Sequence, residues 1–324
     1  MRPDPAVLLD VSRLISRLGG GPATGIDRVE AEWLAHLQDR PHLLLCRVRR
    51  GQLLLPPQAG AAILRWLGGA LDELPPPDLL DRLRGRRTLA ARAEAALRRM
   101  ALARAGREGR GLGRAAQARL GQGVYVNVGH ANLQPGLLAN LRPLPRAVLI
   151  HDTIPLDHPE FTRAGQADRF RDRFTAALGQ SELILTVSVA TRADVLRWRG
   201  RLGLPGHAPV VAAPIGTRLA APDPSGLPAG LDLARPFFVT LGTIEPRKNH
   251  ALLLDAWQML ERGPEPPQLF VIGRRGWENR EVFARLDRLP PGGPVRELSG
   301  LDDGAVAALL GRSHGLLMPS RAEG

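Results

Sequence analysis

Short apolar runs alternate with longer amphipathic stretches from one end of the chain to the other. This alternation is typical of a parallel β-sheet, in which buried strands are joined by helices that cover the sheet. Helical periodicity predicts helices at residues 249–263, 279–290 and 302–313, and Asp302 or Asp303 is placed to cap the last of them. The apolar runs predict strands at residues 6–12, 42–48, 123–129, 146–152, 182–188, 209–214, 236–242, 268–273, 294–300 and 315–320.

A Pro- and Gly-rich stretch without periodicity interrupts this alternation at residues 221–235 and predicts a linker. We therefore expect an α/β protein with two Rossmann-like domains facing each other across a cleft, one at residues 1–220 and the other at residues 236–324. In open parallel sheets, ligands bind beyond the carboxyl ends of the strands. The residues that directly follow each predicted strand are therefore the candidates for chemistry.

Composition excludes several classes of protein. Of the 324 residues, 44% are hydrophobic and 23% are charged, values that exclude wholesale disorder. The single cysteine, Cys46, excludes an intrachain disulfide and a zinc site built from thiolates. The N-terminus lacks the long apolar core of a signal peptide, and no apolar run reaches the ~18 residues that a spanning helix needs. These features favour a cytoplasmic protein.

Basic residues outnumber acidic residues by 44 to 32, which gives a net charge of +12, and only one of them, Lys248, is a lysine. Residues 82–119 hold 12 arginines against two acids, and they predict an arginine-rich helical excursion of the first domain near residues 78–120. Three explanations stay open: a compositional bias of the source genome, peripheral contact with an anionic membrane, and binding of nucleic acid. The aromatic content of 4% argues against nucleic acid, because single strands are held by stacking on aromatic side chains.

The first predicted strand leads into a glycine-rich loop. Glycines at residues 19–21 precede Thr24 and Gly25, and a helix is expected to begin near Ile26. Close backbone approach and a helix N-terminus favour a loop that faces a phosphate, although an ordinary strand-to-helix connection has the same composition. Neither a Walker pattern nor GxGxxG is present, so a nucleoside triphosphatase or a dinucleotide enzyme gains no support.

The predicted strand at residues 146–152 ends on His151 and Asp152. A histidine and a carboxylate at the carboxyl end of a strand are suited to orienting a hydroxyl group or moving a proton. A simple turn with a hydrogen-bonded histidine fits the same residues. His130 is in the equivalent place after another strand and is the weaker candidate.

In the second domain, Arg247 and Lys248 follow a predicted strand and stand where the next helix begins. Two cations at a helix N-terminus form a site for a dianion such as a diphosphate leaving group. The only lysine of an arginine-rich chain lies here, which indicates that this position needs a compact ammonium group.

Two further strand ends in this domain carry candidate ligand contacts. Gly273 leaves room for a flat ring, and Arg274 beside it could pair with a phosphate. Ser320 and Glu323 lie just past the last predicted strand, where a carboxylate could accept hydrogen bonds from sugar hydroxyls.

Taken together, six segments resemble motifs of the retaining GT-B glycosyltransferases of family 4, in the order of that family and over nearly the whole chain. LGTIEPRKN followed at this distance by PSRAEG is a specific pair, and the other segments are supporting. The segments are TGIDRVE (24–30), VLIHDTIPL (148–156), LTVSVATRADVLR (185–197), VTLGTIEPRKN (239–249), VIGRRGW (271–277) and LLMPSRAEG (316–324).

The resemblance implies an enzyme that moves a hexosyl or deoxyhexosyl group, with mannosyl favoured, from a nucleotide-diphosphate sugar to a glycan or a lipid-linked glycan. The donor, a UDP-, GDP- or TDP-sugar, would be held mainly by the second domain and the acceptor by the first. The anomeric configuration would be retained, and neither a cofactor nor a metal would be required. Such an enzyme of polysaccharide biosynthesis would work in the cytoplasm or at the inner face of the membrane.

The resemblance also implies roles for individual residues. Lys248 matches the lysine that contacts the donor diphosphate, and Glu323 matches the first glutamate of a Glu-x7-Glu motif, which holds hydroxyls of the donor sugar. Gly25 matches the loop glycine near the diphosphate, and His151 matches the histidine close to the reacting sugar.

Two departures from the family pattern matter. Gly242 is followed by Thr243 where many members carry an arginine, and Arg247 is our candidate to supply that charge. The sequence stops at Gly324, before the second glutamate of the motif, so we expect the second domain to be incomplete. A second hypothesis therefore stays open, an inactive module that binds a glycan or a membrane surface without transferring anything.

Overall fold

The structure, a computed structural model, describes residues 5–21, 23–76 and 88–324. The chain divides into two compact units. The first comprises Met1–Thr153, Asp168–Ile215 and Gly324, and the second comprises Ile154–Ala167 and Gly216–Glu323. The sequence did not indicate that residues 154–167 pack with the second unit. They do so partly through Trp277, whose indole Nε1 donates to the carbonyl oxygen of Phe161 at 3.1 Å.

The first unit is built on an eight-stranded mixed sheet in the order β4-β3-β2-β1-β5-β6-β7-β8. Strand β3 pairs antiparallel with both of its neighbours, β2 and β4, and all other neighbours pair parallel. The strands are β1 (Ala6–Asp10), β2 (His42–Val48), β3 (Gly51–Leu55), β4 (Ala103–Ala105), β5 (Gly123–Asn127), β6 (Arg146–Ile150), β7 (Leu183–Thr186) and β8 (Val210–Ala212).

Helices on both faces of a parallel sheet explain why its central strands are apolar throughout rather than alternating. In β1 and β2, Leu8, Leu9, Leu44 and Leu45 are all fully buried. The helices of the first unit are α1 (Ser12–Arg17), α2 (Gly25–His36), α3 (Pro57–Leu67), α4 (Leu89–Met100), α5 (Leu112–Leu120), α6 (Pro135–Asn140), α8 (Gln166–Gln180) and α9 (Val189–Arg201).

The arginine-rich segment contributes two helices and one strand to the first unit. Residues 82–87 lie outside the described residues, and the remainder forms α4, β4 and α5. Ala93 and Leu97 of α4 are fully buried against the core, and β4 extends the sheet beside β3. Beside the two helices, the segment contains a strand, β4, which the sequence pattern did not predict.

The second unit contains a three-stranded parallel sheet in the order β11-β10-β9. Apolar side chains pack on both faces, with Trp257 and Leu269 in one cluster and Phe237 and Phe270 in the other. Its elements are α7 (Ile154–Asp157), β9 (Phe237–Leu241), α10 (His250–Leu260), β10 (Gln268–Ile272), α11 (Arg280–Leu286), β11 (Val295–Leu298) and α12 (Asp303–Arg312), with 3-10 turns at Pro159–Phe161, Pro224–Gly226 and Pro246–Lys248.

Two details of the second unit differ from the sequence prediction and one agrees. Residues 315–320 form no strand; Leu316 makes only an isolated bridge to Val239. The predicted linker at residues 221–235 is irregular, but its leucines pack against the Phe237–Phe270 cluster. Asp302 caps α12 as predicted, since its Oδ1 accepts from the amide of Ala305 at 2.8 Å.

Candidate functional site

The carboxyl end of β1 carries a buried acid that organises the first unit. Asp10 is 2% exposed and accepts hydrogen bonds from the Ser12 amide at 3.0 Å, the Tyr125 hydroxyl at 3.0 Å and the Asn132 amide nitrogen at 2.8 Å. Burial raises the pKa of Asp10 even though these donors act in the opposite direction. The acid therefore holds the segments after β1 and β5 in one arrangement.

The predicted phosphate loop is a capped helix start. Asp27 of α2 accepts from both the amide and the hydroxyl of Thr24 at 2.8 Å, and Arg13 donates to Asp27 at 2.6 Å and to the Thr24 hydroxyl at 3.1 Å. The Thr24 hydroxyl is thus engaged within the loop. Space above Gly25 is open, because an added Cβ would meet no atom within 4 Å. Burial alone would raise the pKa of Asp27, but the bonds from Thr24 and the charge of Arg13 lower it.

A second acid of the same helix is held in the core beneath the end of β5. Glu30 is fully buried, and its Oε1 accepts from the amide of Leu14 at 3.2 Å. Burial and the nearby carboxyl of Asp10 raise the pKa of Glu30 well above its usual value. An added Cβ at Gly129 would overlap the Glu30 carboxyl group, so the turn after β5 lies directly on this acid.

Two histidines meet at the ends of β5 and β6. The rings of His130 and His151 pack edge to face with centroids 5.3 Å apart. His151 is 7% exposed, and its Nε2 lies 2.7 Å from the carbonyl oxygen of Val128, which fixes the proton on that nitrogen. Burial lowers the pKa of both rings, so both are neutral at pH 7. Asp152 follows at the next position and is half-buried.

In the second unit, two glycines bring the ends of β9 and β10 into close contact. The amide of Gly242 donates to the carbonyl of Ile272 at 2.9 Å. Gly273 has φ 156°, and an added Cβ there would overlap the carbonyl oxygen of Gly242. Lys248 packs its stem over this platform, with its Cε 3.7 Å from the Cβ position of Gly242. The glycines therefore let a lysine side chain lie across the carboxyl edge of the sheet.

The two predicted cations and the predicted glutamate form one ion-paired cluster. Glu323 pairs with the ammonium of Lys248 through Oε1 and with the guanidinium of Arg247 through Oε2 at 2.8 Å. Arg247 also lies 2.5 Å from the buried carboxylate of Glu245. Burial would raise the pKa of Glu323, but Lys248, the nearby hydroxyl of Ser320 and Arg247 together lower it. These contacts therefore favour the charged form of Glu323.

The segment that carries Glu323 is held in place by the turn that carries Lys248. Asn249 adopts the left-handed conformation, with φ 56°, and its side chain donates to the carbonyl of Pro319 at 3.2 Å. The amide of Arg321 donates to the carbonyl of Arg247 at 2.8 Å, and the guanidinium of Arg247 donates to the carbonyl of Ala322 at 3.0 Å. Arg247 and Lys248 therefore lie in a 3-10 turn before α10, rather than in the helix itself.

Two arginines follow β10, and Arg275 forms ion pairs within the second unit. Arg275 pairs with Asp287 at 2.7 Å and with Glu297 at 2.7 Å. Hydrogen bonds from these carboxylates raise the pKa of Arg275 above its usual value. Arg274, the predicted phosphate contact, is half-buried beside Gly273.

No family model matches the chain. Over 211 residues, or 60% of its length, the chain is 28% identical to a serotype-specific mannosyltransferase WbdA of Escherichia coli, of which the match covers 26%. A second Escherichia coli WbdA sequence matches at 28% over 211 residues, covering 25% of that protein. The chain thus spans about a quarter of the length of the curated relatives it matches.

Two solved structures superpose on nearly the whole chain. HepE of Anabaena, in complex with UDP-glucose, gives a TM-score of 0.59 at 16% identity, covering 98% of this chain and 74% of HepE. Sucrose-phosphate synthase from Thermosynechococcus elongatus gives a TM-score of 0.58 at 14% identity, covering 98% of this chain and 76% of the synthase. The chain has the GT-B fold. This confirms the α/β class predicted from the sequence.

Sequence reasoning did not select Asp10, Arg13, Asp27 or Glu30, which organise the first unit. Asp10 ends β1, so the strand-end rule that selected His151 applies equally to it. Arg13 and Asp27 flank the glycine-rich loop that the rule did find. Glu30 carries no such signal, because a glutamate on an amphipathic helix ordinarily faces water.

Proposed function

We propose that this chain carries the transfer site of a glycosyltransferase that moves a hexosyl or deoxyhexosyl group, mannosyl above all, from a nucleotide-diphosphate sugar to a glycan or lipid-linked glycan. The GT-B fold and the similarity to WbdA support this assignment. The observation that carries it is the cluster of Arg247, Lys248 and Glu323 on the glycine platform of β9 and β10. The donor is a UDP-, GDP- or TDP-sugar held by the second unit.

The cluster suits the departure of a diphosphate. When the bond between the anomeric carbon and the diphosphate breaks, its electron pair stays on the diphosphate. Lys248 and Arg247 stabilise this growing charge, and the diphosphate takes up the proton of the acceptor hydroxyl as that oxygen bonds to the anomeric carbon. Glu323, released from the two cations, accepts hydrogen bonds from hydroxyls of the donor sugar. This chemistry requires no metal, and we propose that the anomeric configuration is retained.

In the first unit, His151 is the proposed contact to the reacting sugar. A neutral imidazole whose Nε2 is tied to Val128 presents its other nitrogen as an acceptor, which orients a hydroxyl without adding charge. Asp152, beside it, is the proposed second contact to a hydroxyl. The start of α2 at Thr24 and Gly25, where the space above Gly25 is open and the cation of Arg13 lies beside Thr24, is the proposed contact to a phosphate. Gly273, Arg274 and Ser320 complete the proposed donor contacts.

Peripheral contact with the inner face of a membrane is the proposed location, because lipid-linked acceptors reside there. Within the described residues, no helix is both long and apolar enough to cross a bilayer. The positive charge of residues 82–119 would supply the attraction to anionic lipid. Pelleting with anionic vesicles that persists after this segment is neutralised would contradict that part of the proposal.

Turnover is the test of the proposed function. Release of nucleoside diphosphate is measured from UDP-, GDP- and TDP-sugars with a mannosyl glycan as acceptor. We expect Lys248→Ala to lower turnover by about a hundredfold, because one contact to the developing charge typically contributes that much. Arg262→Ala, which removes an exposed cation just after α10, is the matched control and should leave turnover unchanged.

Thermal unfolding of both variants shows whether a loss of turnover comes from a lost contact or from a loss of folding. Near-normal turnover of Lys248→Ala would overturn the assignment. Binding of a nucleotide sugar by the unaltered chain, with no release of diphosphate from any donor, would favour the inactive binding module instead.

A further inference from the structure

A concave, arginine-lined site lies at the carboxyl end of β2. The cavity measures about 330 Å³ and is lined by Arg47, Arg49 and Arg107, together with Ser16, Gln52 and Gln134. All of these residues belong to the first unit. Their edge of the sheet is the one at which open α/β folds bind ligands.

The charge of this cavity is unbalanced. Among the residues that the structure describes, no acid forms an ion pair with Arg47, Arg49 or Arg107. Elsewhere in the arginine-rich segment such pairs do form, as between Arg110 and Glu108 at 3.1 Å. One acid, Glu94, lines the cavity.

Glu94 is itself already engaged by two partners. It lies 3.5 Å from the guanidinium of Arg98, and it accepts from the backbone amide of Arg49 at 3.2 Å. Within the described residues, neither Glu94 nor another acid is therefore an ion-pair partner of the three arginines of the cavity.

Further cations face the same region from α8. Burial lowers the pKa of Arg173, and the charges of Arg47, Arg169 and Arg13 lower it further. These arginines are close enough to repel one another, and an anion bound among them would relieve that repulsion. Phe170 of the same helix packs on His130 at 5.8 Å, which ties α8 to the histidine pair.

The cavity is also preorganised by buried hydrogen bonds. Gln52 is 1% exposed, and its Nε2 donates to the carbonyl of Arg107 at 3.1 Å and to Asn132 at 2.8 Å. On the opposite wall, the amide of Arg47 donates to the hydroxyl of Ser12 at 2.7 Å. Asn132 and Ser12 are both bound to Asp10, so one buried acid fixes both walls.

We propose that this cavity binds the phosphate or diphosphate group of a phosphorylated acceptor, an assignment that rests on the proposed transferase function. Guanidinium groups donate in forked pairs that match the oxygens of phosphate, and several converging cations suit an anion of more than one charge. A sugar carboxylate carries a single charge and leaves most of this excess unbalanced. The acceptor is therefore a sugar linked through phosphate, either to a lipid or within a glycan.

The kinetic test compares three mannoside acceptors at a fixed donor concentration. One carries a short alkyl diphosphate, one carries a phosphate on a sugar hydroxyl, and one is the neutral methyl mannoside. We expect at least one phosphorylated acceptor to have a KM about tenfold below that of the neutral one. A lower KM for the alkyl diphosphate indicates a lipid-linked acceptor, and a lower KM for the sugar phosphate indicates a phosphorylated glycan. Arg49→Gln and Arg107→Gln should each raise that KM about tenfold, and they should leave the KM of the donor and of the neutral mannoside unchanged.

Arg119→Gln is the matched control, since it removes an exposed arginine from the last turn of α5 and does not line the cavity. Equal KM values for phosphorylated and neutral acceptors would overturn the proposal, and so would variants that raise the KM of the donor alone.

A binding experiment shows whether this proposal fails or whether the proposed transferase function fails. The Lys248→Ala chain is titrated calorimetrically with the alkyl diphosphate mannoside and with the phosphorylated mannoside, in the absence of donor. We expect binding that weakens with added salt and is lost in Arg49→Gln and Arg107→Gln, even if no donor is turned over. If both phosphorylated mannosides bind no more tightly than the methyl mannoside does, the cavity is not a phosphate site.

Discussion

The buried acids and histidines at the core of the first unit differ from Glu323 of the second unit in the charge state that their surroundings favour. In the first unit, burial raises the pKa of Asp10 and Glu30 and lowers that of His130 and His151. Each shift favours the neutral form. In the second unit, the pKa of Glu323 is lowered, and its carboxylate stays paired with two cations.

The difference follows from where each cluster is built. The first cluster lies at the ends of buried strands. An unpaired charge costs free energy there, whereas a hydrogen bond between neutral groups does not. The second lies on a turn and an irregular segment, and the side chain of Glu323 is 47% exposed. The buried neutral groups and the paired charges to which the proposal assigns hydroxyl and diphosphate contacts therefore come from separate units of one chain.

The largest expected effect is on stability, at the glycines that support each cluster. Gly273→Ala would overlap the carbonyl of Gly242 at a backbone φ of 156°, and Gly129→Ala would overlap the buried Glu30 carboxyl. We expect each to lower the free energy of unfolding by about 3 kcal/mol or more. Urea denaturation measures this loss. Gly311→Ala in α12 is the control, since its Cβ would meet no atom within 4 Å, and a loss there of the same size would contradict the account.

The next effect is a pH dependence that comes from a buried histidine in the second unit. Burial, and then the charge of Lys248, lower the pKa of His250 from 6.5 to about 4. Between these values the unfolded chain binds the proton and the folded chain does not. The contribution is therefore present above pH 6.5 and lost as the pH falls toward 4, by at most about 3 kcal/mol.

His250→Leu removes this titration and should flatten the fall in stability between those pH values. Denaturation curves of both chains, recorded from pH 7 to pH 4, measure the difference in slope. If the two chains lose stability in parallel, the histidine is not held neutral in the fold.

A smaller effect concerns competition inside the charged cluster. Glu323→Gln removes the carboxylate that occupies Arg247 and Lys248, so we expect pyrophosphate to bind about fivefold more tightly, or about 1 kcal/mol. Calorimetric titration with pyrophosphate measures this gain. Glu261→Gln, an exposed acid after α10, should leave the affinity unchanged. Weaker binding to Glu323→Gln would show that the glutamate does not compete for the cations.

The smallest effect should come from the buried acid of the first unit. The folded pKa of Glu30 is raised, so its favourable contribution is present below the usual value of 4.5 and is lost as the pH rises through the folded value. Glu30→Gln mimics the protonated form and should change stability below pH 4.5 by less than about 1 kcal/mol. It should also lessen the loss of stability at rising pH. Severe destabilisation of this variant would mean that Glu30 is ionised in the fold.

Much of the sheet could be predicted because its parallel strands are buried on both faces and read as continuous apolar runs, as in β1 and β2. Strands β3 and β4 could not be predicted, since they are short and antiparallel. Their pairing depends on the close approach of Gly51 to Ala105. Residues 315–320 have the composition of a strand but make only one bridge, which depends on partners that a sequence does not reveal.

The candidate site, like the sheet, could be predicted from the sequence only in part. The strand-end rule selected Lys248 and Glu323 separately, and the structure brings them into one ion pair. It also selected His151 and found Thr24 beside the loop, but not the acid at Asp10 that anchors the unit. Burial of a polar side chain arises from tertiary packing, and local pattern carries no signal for it.

Thermal unfolding in the presence of UDP, GDP and TDP tests the central claim most directly, namely that the second unit holds fixed charges for a diphosphate. We expect one nucleoside diphosphate to stabilise the unaltered chain, by about 2.7 kcal/mol at a hundredfold excess over Kd, and we expect Lys248→Ala to lose this stabilisation. Absence of stabilisation by all three, or equal stabilisation of Lys248→Ala, would contradict it.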